Sequence, residues 1–132
     1  MPRGDETVLL VEDEPALRTL VRRLLAGAGY QVHVAEDGEQ ALELAAALDT
    51  PVDLLLTDVV MPRAGGHKVA RDLRARWPQL AVLFMSGYTD DAIAKHGVLE
   101  PGTNFLGKPF NVDALLRKVR DVLDARPQAK AD

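Results

Sequence analysis

The stretch 8–35, VLLVEDEPALRTLVRRLLAGAGYQVHVA, decides the fold. Val8-Leu9-Leu10-Val11 is a short run that is apolar at every position. A helical stripe of Leu17, Leu20, Val21, Leu24 and Ala28 follows it. Gly27 and Gly29 supply stop signals. Val32-His33-Val34-Ala35 then reads as a second strand. The alternation continues outward. Ala41, Leu44, Ala45 and Leu48 make a second helical stripe, and Val52 to Thr57 a third strand. Val69, Ala70, Leu73 and Trp77 make a third helix, which ends before Pro78 because the residue preceding a proline avoids helical geometry. Leu80 to Met85 is a fourth strand and Asn104 to Gly107 a short fifth. Val112, Leu115, Leu116, Val119, Val122 and Leu123 mark a long last helix.

This is a strand–helix unit repeated five times. Strands apolar on both faces need helices on both sides, which is the environment of a parallel sheet. Crossovers of this kind are right-handed. The expected product is α/β: a three-layer, doubly wound (βα)5 sandwich around a five-stranded parallel sheet. The segment from Thr89 to Gly102 has only Ala92, Ile93, Val98 and Leu99 as apolar anchors, and is expected to hold a short helix and a mobile loop. Residues 1–6 read as an N-terminal extension, 7–125 as the one domain, and 126–132 as a flexible polar tail.

Composition agrees. A length of 132 residues suits one domain. A hydrophobic share of 47% with 27% charged residues excludes disorder, collagen-like repeats and coiled coil. No apolar run approaches the ~18 residues of a membrane span, and residues 1–6 carry no signal-peptide core. With no cysteine there is neither a disulfide framework nor a thiolate metal site. A cytoplasmic location without direct membrane contact is the expectation. The net charge of −4 argues against a nucleic-acid partner. Arg18, Arg22 and Arg23, and likewise Lys68, Arg71, Arg74 and Arg76, gather at helical spacing. Both sets read as solvated helix faces, with a docking surface as the competing reading.

In an open parallel sheet, ligands bind outside the carboxyl ends of the strands. Strand one ends in Glu12-Asp13, strand three in Asp58, strand four in Ser86 and strand five in Lys108. Glu36-Asp37, after strand two, is expected further out. Carboxylates gathered on one rim repel one another unless a divalent cation or a lysine lies between them. A few hard oxygen ligands suit Mg²⁺. Any single acid fits a plainer role as a helix cap, such as Asp13 before Pro15 or Asp90 before Ile93. The whole set on one rim fits that role poorly. A carboxylate beside a metal is a nucleophile toward phosphorus. Lys108 and the metal would neutralise phosphoryl oxygens, and the Ser86 hydroxyl would donate another hydrogen bond. Phosphoryl transfer asks mainly for such positioning and charge stabilisation.

Four motifs now stand in order: Val11-Glu12-Asp13-Glu14-Pro15, Leu56-Thr57-Asp58-Val59-Val60-Met61-Pro62, Met85-Ser86-Gly87 and Lys108-Pro109-Phe110. With them the chain resembles the receiver domain of two-component response regulators over about residues 6–125. Gly4-Asp5-Glu6-Thr7 and Phe84-Met85-Ser86-Gly87-Tyr88 further resemble the C-terminal receiver of hybrid sensor histidine kinases. The resemblance implies strand order 2-1-3-4-5. It implies Asp58 as phosphoacceptor. Asp13, Asp58 and the backbone carbonyl of Val60 would be Mg²⁺ ligands, with Glu12 binding through water where many relatives have Asp. It implies Ser86 and Phe105 as the switch pair, Phe105 lacking the hydroxyl of the Tyr frequent at that position. Lys108-Pro109 resembles the family's cis peptide. The implied partner is a histidine kinase or histidine phosphotransfer protein, contacting the first helix near Pro15, Ala16 and Thr19. Its phosphohistidine would pass a phosphoryl group to Asp58. Ser86 and Phe105 would then move, and the surface of 89–102, strand five and the last helix would change. Slow hydrolysis of the acyl phosphate would be the domain's only turnover. Nothing in the sequence sets an oligomeric state.

Tyr88 reads either as a gate for water or as a loop aromatic. Trp77 reads as core, and His33, His67 and His96 as neither ligands nor phosphodonors. Gly65-Gly66 reads as a turn freeing the loop after Asp58, and Gly38 as the opening of the second helix. Three other classes compete. A metal-dependent aspartyl-phosphate phosphatase would carry D-x-D after strand one, where this chain has Glu12-Asp13-Glu14. A flavin-binding protein would need a phosphate-cradling loop there instead of three acids. A pseudo-receiver binding module, never phosphorylated, would not need the full acid, Ser and Lys set.

Overall fold

The structure, a computed structural model, describes residues 2–59, 65–86 and 104–126, without the side chain of Ser86. Five strands form one sheet: β1 (Thr7–Val11), β2 (Gln31–Ala35), β3 (Leu54–Asp58), β4 (Ala81–Ser86) and β5 (Asn104–Gly107). Their order is β2-β1-β3-β4-β5, and every neighbouring pair is parallel. Four described helices accompany them: α1 (Pro15–Gly27), α2 (Gly38–Ala47), α3 (Gly66–Arg76) and α4 (Val112–Asp124). Val60, Tyr88, the short helix expected between Thr89 and Gly102, and residues 127–132 lie outside the described residues.

Successive residues of a strand point to opposite faces, so a central strand must be apolar at every position. Val8 and Leu10 join a cluster with Val21 and Leu25 of α1 and Leu115, Val119 and Val122 of α4. Leu9 and Val11 join another with Ala41 and Ala45 of α2 and Val69 and Leu73 of α3. These are the three layers expected from the strand pattern. Trp77 packs on the second cluster at the end of α3, and Arg76 lies over its ring, 4.4 Å from the centroid.

The stripe of α1 differs from its sequence reading. Val21, Leu25 and Ala28 are buried, whereas Leu20 is 50% exposed. The helix is apolar over a wider arc than the sheet covers. Leu17, Leu20 and Leu24 line a groove of about 670 Å³ with Pro109, Phe110 and Val112. The first residues are tied down as well. The Gly4 amide donates to the Ala28 carbonyl at 3.1 Å. Gly29 has φ +105°, and a Cβ there would strike the Gly4 carbonyl. At the other end, Arg126 pairs with Asp53 at 2.8 Å.

Candidate functional site

Register places the site. Val11 is level with Thr57, so Glu12 and Asp58 leave neighbouring strands at the same height. Ser86 is level with Gly107, so Lys108 leaves β5 at that rim too. The Lys108–Pro109 peptide is cis. Lys108 Nζ lies 2.8 Å from Glu12 Oε1 and 2.6 Å from Asp58 Oδ1. Glu12 and Asp58 are buried, at 1% and 6% exposure, whereas Asp13 is exposed. Carboxylate oxygens of Glu12, Asp13 and Asp58 all lie within 4.8 Å of one another.

Hydrogen bonds hold Glu12 at both its backbone and its carboxylate. Its amide donates to the Ala35 carbonyl at 3.1 Å, and its carbonyl accepts from Arg18 Nη1 at 2.9 Å. Its Oε2 accepts from the Glu14 amide at 3.1 Å, and its Oε1 accepts from Lys108. The sequence reading of Asp13 as a helix cap does not match the geometry, and the loop that Gly65-Gly66 is read as freeing lies outside the described residues. Glu14 is the N-cap of α1 and makes no side-chain cap. Gly66 is needed for close approach, because a Cβ there would strike the Asp58 carbonyl. Its amide donates to the Val59 carbonyl at 3.0 Å, anchoring α3 directly behind Asp58.

Three carboxylates gather at this rim, and two of them share the Lys108 ammonium. Burial, then the neighbouring Glu12, pushes the Asp58 carboxyl up to about 8, against the pull of Lys108. Burial also acts to raise Glu12, but bonds from Asp58, Lys108 and the Glu14 amide outweigh it and hold Glu12 at about 2. Burial acts to lower Lys108, but Asp58 and Glu12 raise it, so it stays an ammonium. The set fits a hard divalent cation, which would displace the proton on Asp58 and relieve the repulsion.

The structure therefore brings Glu12, Asp13, Asp58 and Lys108 together. Phe105 stands on β5, level with Phe84 on β4, its ring 5.6 Å from that of Phe84. His67, at the start of α3, lies 5.1 Å from the same Phe84 ring. Sequence reasoning missed Arg18 as a partner of the rim, because it was grouped by spacing with two solvent-facing arginines. It also missed the packing reason for Gly66, which only the position of the Asp58 carbonyl reveals.

Residues 8–120 match the response regulator receiver domain. The chain is 41% identical over 121 residues to the sensor kinase CckA of Brucella abortus (strain 2308), across 92% of this chain and 13% of that one. The crystal structure of the receiver domain from the hybrid histidine kinase CckA is similar at TM-score 0.75 and 37% identity, covering 89% of this chain and 98% of that chain. A response regulator receiver protein from Sinorhizobium medicae WSM419 reaches TM-score 0.81 at 30% identity, covering 94% and 98%. The chain thus spans about an eighth of its full-length kinase relative and nearly all of the isolated receivers.

Proposed function

Because this chain belongs to the response regulator receiver domain family, we propose that it is a cytoplasmic phosphoacceptor module of a two-component phosphorelay, with Asp58 as the accepting carboxylate. One observation carries the reading. Asp58 is buried at the rim, pinned by Lys108 at 2.6 Å and crowded by the oxygens of Glu12 and Asp13. Such crowding costs stability, and a site that needs it for chemistry explains why it is kept.

Lys108 holds Asp58 Oδ1, which leaves Oδ2 to attack phosphorus in line. An O–P bond forms to Asp58 as the P–N bond to the donor imidazole breaks, and the freed imidazole nitrogen takes a proton. An ionised carboxylate needs no general base for this. Glu12, Asp13 and Asp58, with the Val60 carbonyl, would hold Mg²⁺, which supplies neutralisation of phosphoryl charge when bound. Lys108 and the Ser86 hydroxyl take two phosphoryl oxygens. Phe105 then leaves its place beside Phe84 for the space that Ser86 vacates, and this population shift is the output. Hydrolysis of the acyl phosphate resets it, so the isolated domain turns over only its own phosphoryl group.

The donor is a histidine kinase or histidine phosphotransfer protein. The groove of Leu17, Leu20, Leu24, Phe110 and Val112 opens beside exposed Pro15, Ala16 and Thr19, next to the acidic rim. An apolar helix of the donor seated there would present its phosphohistidine to Asp58. Identity to CckA favours a hybrid histidine kinase as the parent of this domain.

Intact mass tests the reading. Incubation with a small-molecule phosphodonor and Mg²⁺ should add one phosphoryl group, and neither chelator nor Asp58→Asn should permit it. Equal incorporation in Asp58→Asn would refute the assignment.

A further inference from the structure

The arginines of α1 divide into two kinds. Arg22 and Arg23 are exposed, whereas Arg18 is half-buried and its Nη1 donates to the Glu12 backbone carbonyl at 2.9 Å. The Arg18 amide already bonds the Glu14 carbonyl, so its side chain turns back over the beginning of the helix. The carbonyl it holds belongs to the Glu12–Asp13 peptide. The tilt of that peptide sets where the Asp13 carboxylate stands. At the helix end the Glu14 amide bonds Glu12 Oε2 at 3.1 Å, while α1 has no side-chain cap and no acid in its first turn. The rigid contacts of Glu12 lie on its other atoms, with Ala35, Glu14 and Lys108.

We propose that Arg18 is a positioning residue for the acidic rim. By fixing the Glu12–Asp13 peptide it holds Asp13 where its carboxylate meets a divalent cation beside Asp58. The proposal rests on the reading of that rim as a cation site. Arg18 acts on a cation in two opposite ways. Its positive charge repels the ion, though water screens this at an open rim. Its hydrogen bond orders a ligand in advance, and a charge-assisted bond to a part-buried carbonyl is among the stronger ones.

The two effects have opposite signs, so variants separate them. Calorimetric titration of Mg²⁺ into the whole chain compares wild type with Arg18→Met, which keeps much of the stem without a donor, and Arg18→Lys, which keeps one donor. Positioning predicts affinity weakened roughly tenfold in Arg18→Met and within about threefold of wild type in Arg18→Lys. The amide resonance of Asp13, read without Mg²⁺, should move in Arg18→Met and return in Arg18→Lys. This shift is a local readout that general loss of stability does not produce. Affinity that is unchanged or tighter in Arg18→Met, or weakened equally in both variants, overturns the role. A wild type that binds no Mg²⁺ overturns the cation site and the role of Arg18 with it. A wild type that binds while Arg18→Met is unaffected overturns only Arg18.

Discussion

Two ionic clusters stand at opposite ends of the same strand. Glu6 precedes β1 and meets Arg120 of α4 at 2.6 Å; Glu12 follows β1 and meets Lys108 at 2.8 Å. In each, one cation serves two carboxylates at similar distances: Arg120 also holds Asp124, and Lys108 also holds Asp58. Glu6 and Glu12 are both lowered, yet the second acid of the rim, Asp58, moves the opposite way. Glu6 falls to about 2, chiefly through its bond to Arg120, while Asp58 rises to about 8, chiefly through burial. Asp124 is 63% exposed and Asp58 only 8% by side chain. Water shares the second acid in one cluster, and the fold leaves it to Glu12 in the other. Arginine also offers a fork of donors where lysine offers a point charge. Ion-pair geometry alone therefore does not distinguish a strap from a reactive site. Burial of surplus negative charge does.

Lys108→Ala should break this contrast most forcefully. It leaves two buried carboxylates without their cation, at a cost of about 3 kcal/mol in thermal or urea unfolding without divalent metal. Added Mg²⁺ should recover part of that loss, because it replaces the missing positive charge. Some labelling of Asp58 should survive, while the change at β5 and α4 that follows it should not. A Lys108→Ala protein as stable as wild type in chelator would show that the rim is better solvated than its burial implies.

Asp58→Asn works the other way. Asn has the shape of Asp without the charge, so the variant should be more stable than wild type by about 2 kcal/mol at neutral pH in chelator. The pH dependence identifies the cause. A carboxyl whose folded pKa exceeds its unfolded one contributes stability at low pH and loses it as pH rises through the folded value. The gain of Asp58→Asn should thus be absent below pH ~4, grow between about 4 and 8, and level off above. Wild-type affinity for Mg²⁺ should climb over the same window, since binding expels the proton. A gain that does not vary with pH would separate the stabilisation from the ionisation of Asp58.

Arg120→Met sharpens the comparison from the other end. Solvent screens part of the Arg120 cluster, so its loss should cost about 1 kcal/mol, with no recovery on adding Mg²⁺. Glu6 has a lowered pKa, so its contribution is present above the ordinary carboxylate value and vanishes as pH falls through about 2. Wild type and Arg120→Met should converge in acid, where wild type and Asp58→Asn also converge for the opposite reason.

The rim was legible in the sequence and the strap was not, for a physical reason. Glu12, Asp58 and Lys108 each end an apolar run, and parallel strands in register carry such residues to one edge. That inference needs only the two-residue period of a strand. Arg120 meets Glu6 and the Arg3 carbonyl across more than a hundred residues, and no local pattern announces it. Residues 1–6 looked like an extension because nothing in them is periodic. The exposure of Leu20 and burial of Leu25 were equally hidden. A stripe shows which arc of a helix is apolar, but the neighbouring sheet and loops determine how much of that arc is covered.

The smallest effect bounds the whole comparison. Asp113 and Arg117 form an ion pair on α4 at 2.8 Å, the length of the Glu12–Lys108 contact. Its side chains are 51% and 69% exposed. Such a pair exchanges hydration for contact at nearly equal free energy and spends side-chain entropy in doing so. Arg117→Ala should melt with wild type within error at moderate salt, and its phosphoryl incorporation should match wild type. A clear loss of stability there would mean that pair formation matters without burial. The opposed shifts of Glu6 and Asp58 would then need a cause other than the water each cluster keeps.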